Sequence, residues 1–159
     1  MLMGPAVKYD IKTLDPQPGQ LITANDLKLL EEKTGVSAKP GYIVFLNFGW
    51  EKYWSSDKDW IYYATNAPGF DESAAKYFYN KKIKAIASDT IACDQAIKNG
   101  VPIKSFGHDV YWLPNKILIM EGLINLDDLP YYSYFIALPL KIIRGSGSPI
   151  RPIALTPKL

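Results

Sequence analysis

The chemistry available to this chain is narrowed first by scarcity. His108 is the sole histidine and Cys93 the sole cysteine among 159 residues. A lone imidazole excludes, for this chain, any centre that needs two or three of them, including the three-His and two-His-plus-Glu zinc sites. A lone thiol forms no intrachain disulfide and assembles no thiolate-rich zinc site. It reads as a buried apolar side chain rather than a nucleophile. No nucleophile-elbow pattern surrounds His108, which follows Gly107, so acyl-enzyme chemistry has no support. Asp89, Asp94, Asp109 and Glu121 supply carboxylates, and scattered acids of this kind usually serve as caps, solvated groups or salt-bridge partners. Two residues stand out by their setting. His108 opens a short apolar segment, and Glu121 ends the strand-like run Lys116-Ile-Leu-Ile-Met-Glu121, so the two can meet at one pocket. Two donors alone do not make a metal site, because divalent ions normally take at least three from the protein.

Two further stretches carry possible binding chemistry. Between Gly49 and Gly69 the aromatic residues Trp50, Tyr53, Trp54, Trp60, Tyr62 and Tyr63 lie among charges and serines without clear periodicity. This segment reads either as a surface loop folded on its own rings or as a wall over a pocket for a flat substrate. Gly145-Ser-Gly-Ser, flanked by Arg144 and Arg151, could offer backbone amides to an anion or be a plain turn. It is not a phosphate loop, since the Lys-Ser/Thr ending and a following helix are absent.

The elements that must position these residues alternate between strand and helix patterns, with no internal repeat, which predicts a mixed α/β domain spanning 1–159. Ala6–Ile11 alternates in the strand sense, and Pro16, Pro18 and Gly19 mark a loop. Thr23 caps a helix in which Leu27 and Leu30 share a face, Asp26 is placed to complete the cap and Gly35 closes the helix. Tyr42–Phe48 reads as a buried central strand. Asp71 caps a second helix to about Lys82, and Ile83–Ser88 returns as a strand ending at Asp89. Asp94–Gly100 with Val101-Pro102 reads as a connection, His108–Pro114 as a short helix, and Tyr134–Pro139 and Ile150–Leu155 as late strands, the last at an edge. Two helices flanking about six strands are expected.

Bulk composition removes other classes. Lys plus Arg number 18 and Asp plus Glu 16, a net charge of +2 without a basic stripe, so nucleic acid is not an expected partner. The longest apolar stretch, Phe135–Ile143, is interrupted by Pro139 and Lys141 and falls short of a membrane span. Met1-Leu-Met-Gly-Pro-Ala lacks the pattern of a secretory signal, and a cytoplasmic location is expected.

A resemblance runs through almost the whole chain. Its pieces are Gly4-Pro-Ala-Val7, Ile22-Thr-Ala-Asn-Asp-Leu27, Pro40–Trp50, Pro68-Gly-Phe70, Ala85-Ile-Ala-Ser-Asp-Thr90, Ile119–Leu126, Leu138-Pro-Leu140 and Gly147–Leu155. In this order they resemble the cyclase family of metal-dependent hydrolases, which includes kynurenine formamidases and isatin hydrolases. The resemblance implies a swivelling β/β/α fold. It also implies a hydrolase that uses zinc or manganese to activate water against an amide, formamide or lactam carbonyl of a small-molecule substrate. The family's His-x-Gly-Thr-His-x-Asp-x-Pro-x-His motif, which lies upstream of the Gly-Pro-Ala-Val region, has no counterpart here. The chain therefore looks like an N-terminally incomplete, C-terminal portion of such an enzyme, without catalytic residues of its own and inactive in isolation.

By the same resemblance Glu121 corresponds to a glutamate metal ligand, and His108 to the downstream histidine of two-metal members. Asp89 corresponds to an acid of structural role, and Trp50, Trp54 and Trp60 fall in the segment that walls the substrate pocket. The implied partners are further copies of this chain or a partner chain carrying the missing motif. The alternative is a non-catalytic binding or assembly subunit that keeps the fold.

Overall fold

The computed structural model describes residues 2–54 and 59–157. The part of the aromatic segment at 55–58 lies outside the described residues. In chain order the elements are β1 (Leu2–Tyr9), β2 (Leu21–Ile22), α1 (Ala24–Thr34), β3 (Ile43–Leu46), α2 (Trp60–Thr65), β4 (Gly69–Phe70), α3 (Glu72–Asn80), β5 (Ala85–Ser88), β6 (Ile97–Lys98), β7 (Val101–Pro102), β8 (Leu118–Met120), β9 (Tyr132–Ala137) and β10 (Ile153–Leu155). Six strands form one sheet in the order β10-β9-β1-β3-β5-β8. β1, β3, β5 and β8 run parallel, while β9 is antiparallel to both β1 and β10. The fold is mixed α/β, as its alternating pattern predicts.

Strand alternation divides the core into two layers, because successive side chains point to opposite faces of a sheet. Val7, Tyr9, Val44, Leu46 and Ile86 face Leu27 and Leu30 of α1 and Ala74, Ala75 and Phe78 of α3. Ala6, Ile43, Phe45, Ala85, Ala87, Met120 and Phe135 face the other way. That second face has no helical cover among the described residues; Leu123 and Leu126 close it, with Leu129 and Ile150 packed alongside. All four residues of β3 are buried, as expected for a central parallel strand covered on both sides.

Local chemistry sets the helix ends. The Thr23 hydroxyl accepts from the Asp26 amide, and the Asp26 carboxylate accepts from the Thr23 amide at 2.8 Å, completing a capping box. Gly35 closes α1, its amide donating to the Glu31 carbonyl at 2.8 Å. Asp71 caps α3 through the Ala74 amide at 2.9 Å, and the helix ends at Asn80, slightly before the expected Lys82.

Other boundaries differ from expectation for identifiable reasons. β1 starts at Leu2, where it pairs with Ala137, and stops at Tyr9; Ile11 instead sits buried in a short 3-10 turn. The segment read as a connection forms the β6–β7 pair, turning at Asn99 and Gly100 with φ of 51° and 75°. Two consecutive positive φ values define the tight hairpin turn that Asn-Gly favours. The aromatic segment is not a plain loop: it holds a 3-10 turn at Glu51–Tyr53 and the short helix α2. The expected helix after His108 is a wide π turn, Gly107–Tyr111, followed by a 3-10 turn, Leu113–Asn115.

Asp89, fully buried just past β5, ties the chain after β3 to the sheet. One carboxylate oxygen accepts from the Phe48 amide at 2.9 Å and the other from the amides of Trp50 at 2.6 Å and Glu51 at 3.3 Å. Burial pushes its carboxyl up to about 6, while these backbone donors pull in the opposite direction. Replacing Asp89 by Asn turns an amide NH2 toward a backbone N–H and leaves a buried donor unmet. Asp89→Asn is expected to cost about 1–3 kcal/mol in urea unfolding at neutral pH. Thr23→Ala, which removes half of the capping box, is expected to cost about 1 kcal/mol in the same assay.

Candidate functional site

Parallel strands deliver their carboxyl ends to one side of a sheet, and in open α/β sheets that side is where ligands bind. Here β5 ends at Ser88 and β8 at Met120, so Asp89 and Glu121 are the first residues beyond neighbouring strands. The amides of Gly122 and Leu123 donate to the carbonyls of Thr90 and Ser88, both at 2.9 Å, and clamp the chain after Glu121 onto the end of β5. Glu121 is held in turn by the Cys93 amide, which donates to its Oε1 at 2.9 Å.

His108 arrives from the π turn. Its Nδ1 lies 2.5 Å from Asp94 Oδ1, and its Nε2 lies 3.5 Å from Glu121 Oε1, so the ring sits between two carboxylates. The Asp94 side chain is wholly buried. Its Oδ2 accepts from the Ser105 hydroxyl at 2.6 Å, the Gly107 amide at 2.5 Å and the His108 amide at 3.2 Å. Close approach at residue 107 demands glycine: a Cβ there would lie 2.3 Å from the Trp112 ring and 2.7 Å from Asp94 Oδ2.

Charge follows geometry. Burial alone would raise Asp94, but the bonds from His108 and Ser105 outweigh it and hold the carboxyl below its ordinary range. The Asp94 bond raises His108 against the opposing pull of burial, with Glu121 and Asp109 adding to the rise. The stability this contact contributes is therefore complete between the ordinary values of 3.8 and 6.5. It is lost as pH falls through the lowered Asp94 value or rises through the elevated His108 value. Burial raises Glu121, partly countered by the Cys93 amide and His108. Cys93 is buried and its thiol is pushed well up, first by burial and then by the charges of Asp94 and Glu121, which keeps it protonated.

The structure thus brings His108 and Glu121 together and leaves Asp109 exposed on the outside of the turn. Among the described residues no group of three His, Cys, Asp or Glu side chains is placed to hold a metal ion. As a donor set the pair fits part of a metal shell: Nδ1 is engaged by Asp94, Nε2 is turned to Glu121, and the glutamate is one-third exposed. Glu121 also lies on the wall of a groove of about 700 Å³, lined further by Gly122, Ile124, Asn125, Gly147 and Ser148. Gly147 and Ser148 belong to the loop read as a possible anion cradle. The Ser148 hydroxyl is occupied there, accepting from the Leu140 amide at 2.8 Å.

The three tryptophans read as pocket walls are not brought together. Trp50 is 3% exposed, with its indole N–H donating to the Asn66 carbonyl at 2.6 Å, which makes it a core residue. Trp54 and Trp60 are more than half exposed. Trp54 packs edge-on to Tyr63 at 5.0 Å. Tyr63 is buried, its hydroxyl raised first by burial and then by the charges of Asp89 and Glu121, and a Cβ at Gly122 would lie 3.7 Å from that hydroxyl. The rings of Trp50, Tyr53 and Tyr62 pack on one another, as in a segment folded on itself. Sequence reading places Asp94 only among scattered carboxylates and Tyr63 only within the aromatic segment, and it passes over Ser105. The signal for Asp94 was that a lone histidine on a structured turn needs an orienting acceptor.

Comparison with known proteins follows the same lines. Residues 1–95 match the Cyclase family model. Isatin hydrolase of Roseibium aggregatum is 32% identical over 145 residues, covering 89% of this chain and 54% of that protein. The crystal structure of an isatin hydrolase bound to the product analogue thioisatinate superposes with a TM-score of 0.80 at 28% identity, over 99% of this chain and 61% of the other. A predicted metal-dependent hydrolase from Bacillus stearothermophilus shares the fold, with a TM-score of 0.69 at 20% identity over 96% of this chain and 63% of that one. The chain thus spans between half and two thirds of the length of these relatives. Matched over more than half of its residues by the family model, and in fold over nearly all of them, the chain belongs to the cyclase family.

Proposed function

We propose that this chain supplies part of the site of a metal-dependent hydrolase acting on an amide, formamide or lactam bond of a small molecule. The observation that carries the reading is the approach of His108 Nε2 and Glu121 Oε1 to 3.5 Å at the carboxyl edge of the parallel strands. An imidazole nitrogen and a carboxylate oxygen suit zinc or manganese. A metal held there with further donors would lower the pKa of a bound water and polarise the carbonyl under attack. This chain's own part is to hold two ligands in fixed register beside the groove that Glu121 lines. The likeness to isatin hydrolases, whose name describes hydrolysis of a lactam, supports the substrate class.

The remaining donors come from polypeptide beyond these residues, in a partner chain or a longer form of this one. Exposed apolar side chains at one end of the sheet, among them Leu138, Leu140, Ile143, Ile153 and Leu155, favour an assembled state with further copies or with that partner. Among the described residues no helix is long and apolar enough to cross a membrane, and a cytoplasmic setting is part of the proposal. A second reading, a non-catalytic subunit that keeps the fold, is favoured by the lack of a three-donor cluster among the described residues.

Zinc titration of the whole chain by calorimetry separates the outcomes. Weak binding of one ion is expected, at least tenfold weaker in His108→Ala and in Glu121→Gln, with no turnover of isatin or an aryl formamide by the chain alone. Zinc binding indifferent to both substitutions would leave the subunit reading. Turnover by the unaided chain would overturn the division of the site.

A further inference from the structure

The network behind His108 carries a consequence for the ring itself. Asp94 is buried without exposed surface, and among the described residues every hydrogen-bond partner of its carboxylate is a donor: Ser105 O–H, Gly107 N–H and His108 N–H on Oδ2, and the imidazole on Oδ1. A carboxylate so surrounded accepts and has nothing to give. The nitrogen it faces at 2.5 Å must therefore carry the hydrogen. Ser105 Oγ also lies 3.2 Å from Nδ1, but its proton is directed to Asp94 at 2.6 Å, so toward the ring it acts as an acceptor. Both neighbours thus demand the same thing of Nδ1, while the competing acceptor Glu121 Oε1 lies 3.5 Å from Nε2, a longer and weaker contact than the 2.5 Å from Nδ1 to Asp94.

We propose that Asp94 is a positioning residue that fixes His108 in the Nδ1–H tautomer and so presents the Nε2 lone pair toward Glu121. All four of these bonds come from the stretch from Ser105 to His108, so the same carboxylate shapes the π turn and orients the ring that the turn displays. Outer acceptors of this kind raise the basicity of a metal-bound imidazole and fix its orientation. The metal part of this inference rests on the reading of His108 as a ligand; the tautomer part does not.

The sole histidine makes the test direct. The whole chain, labelled with ¹⁵N in histidine, gives a single imidazole, and its two nitrogens can be followed by long-range ¹H–¹⁵N correlation at alkaline pH, where the ring is neutral. Without metal, the expected spectrum shows Nδ1 protonated and Nε2 bare. Added Zn²⁺ should move the Nε2 resonance and leave Nδ1 protonated. Asp94→Asn offers the ring an amide N–H; the tautomer should shift toward Nε2–H, and zinc affinity should fall tenfold to a hundredfold. Ser105→Ala should keep the wild-type tautomer. An Nε2–H ring in the wild type overturns the proposal and needs no variant to fold. A folded Asp94→Asn chain that retains both the Nδ1–H tautomer and full zinc affinity overturns it as well. If Zn²⁺ leaves both nitrogens of the wild type unmoved, the metal reading of the site fails while the spectrum without metal still decides the role of Asp94.

Discussion

The site exists because parallel strands end together. In β3, β5 and β8 the direction of the chain is the same, and the residues that follow each strand are forced into one crowded strip at the sheet's edge. Polar groups at that strip cannot all reach water, so they must satisfy each other. Asp89 gathers the amides following β3, the Cys93 amide meets Glu121, and carbonyls at the end of β5 meet the amides following β8. Each strand end is thereby stitched to its neighbour.

Within that strip two buried acids, Asp89 and Asp94, have different company. Asp89 is surrounded by backbone N–H groups, and its role is architectural: it holds the segment containing Phe48 and Trp50 against the sheet. Asp94 collects backbone donors too, but one of its oxygens is given to an imidazole whose far side looks into open space beside Glu121. An unbalanced buried carboxylate is costly, and a histidine that can carry charge offsets that cost. Electrostatic economy and ring placement are therefore one arrangement.

Much of this architecture was legible from residue order. Thr23, Asp26 and Gly35 mark α1 because capping is local chemistry, and Asp71 does the same for the start of α3. β3 and β5 declare themselves by unbroken apolar runs, and Glu121 stands out as a carboxylate ending a strand. Less was legible where the deciding contact is distant. Nothing local reveals that Asp94 reaches His108, or that Tyr63 on a six-residue helix turns inward while Trp60 beside it stays in solvent. Trp50 misleads for the same reason, since an aromatic ring in a polar segment can wall a pocket or plug the core, and only the Asn66 carbonyl that takes its indole proton distinguishes them. The Asn99-Gly100 pair was a readable hairpin signal, hidden by strands of two residues on either side.

The face of the sheet turned away from the helices is sealed by a strip of irregular chain, and Glu121 stands at the head of that strip, two positions before Leu123 and five before Leu126. Anchor and carboxylate are thus one continuous piece of backbone. Loosening of this thin layer, which lacks the cooperative support of a helix, would carry the acid away while α1 and α3 stayed folded. The sheet would then open from one side, well short of global unfolding.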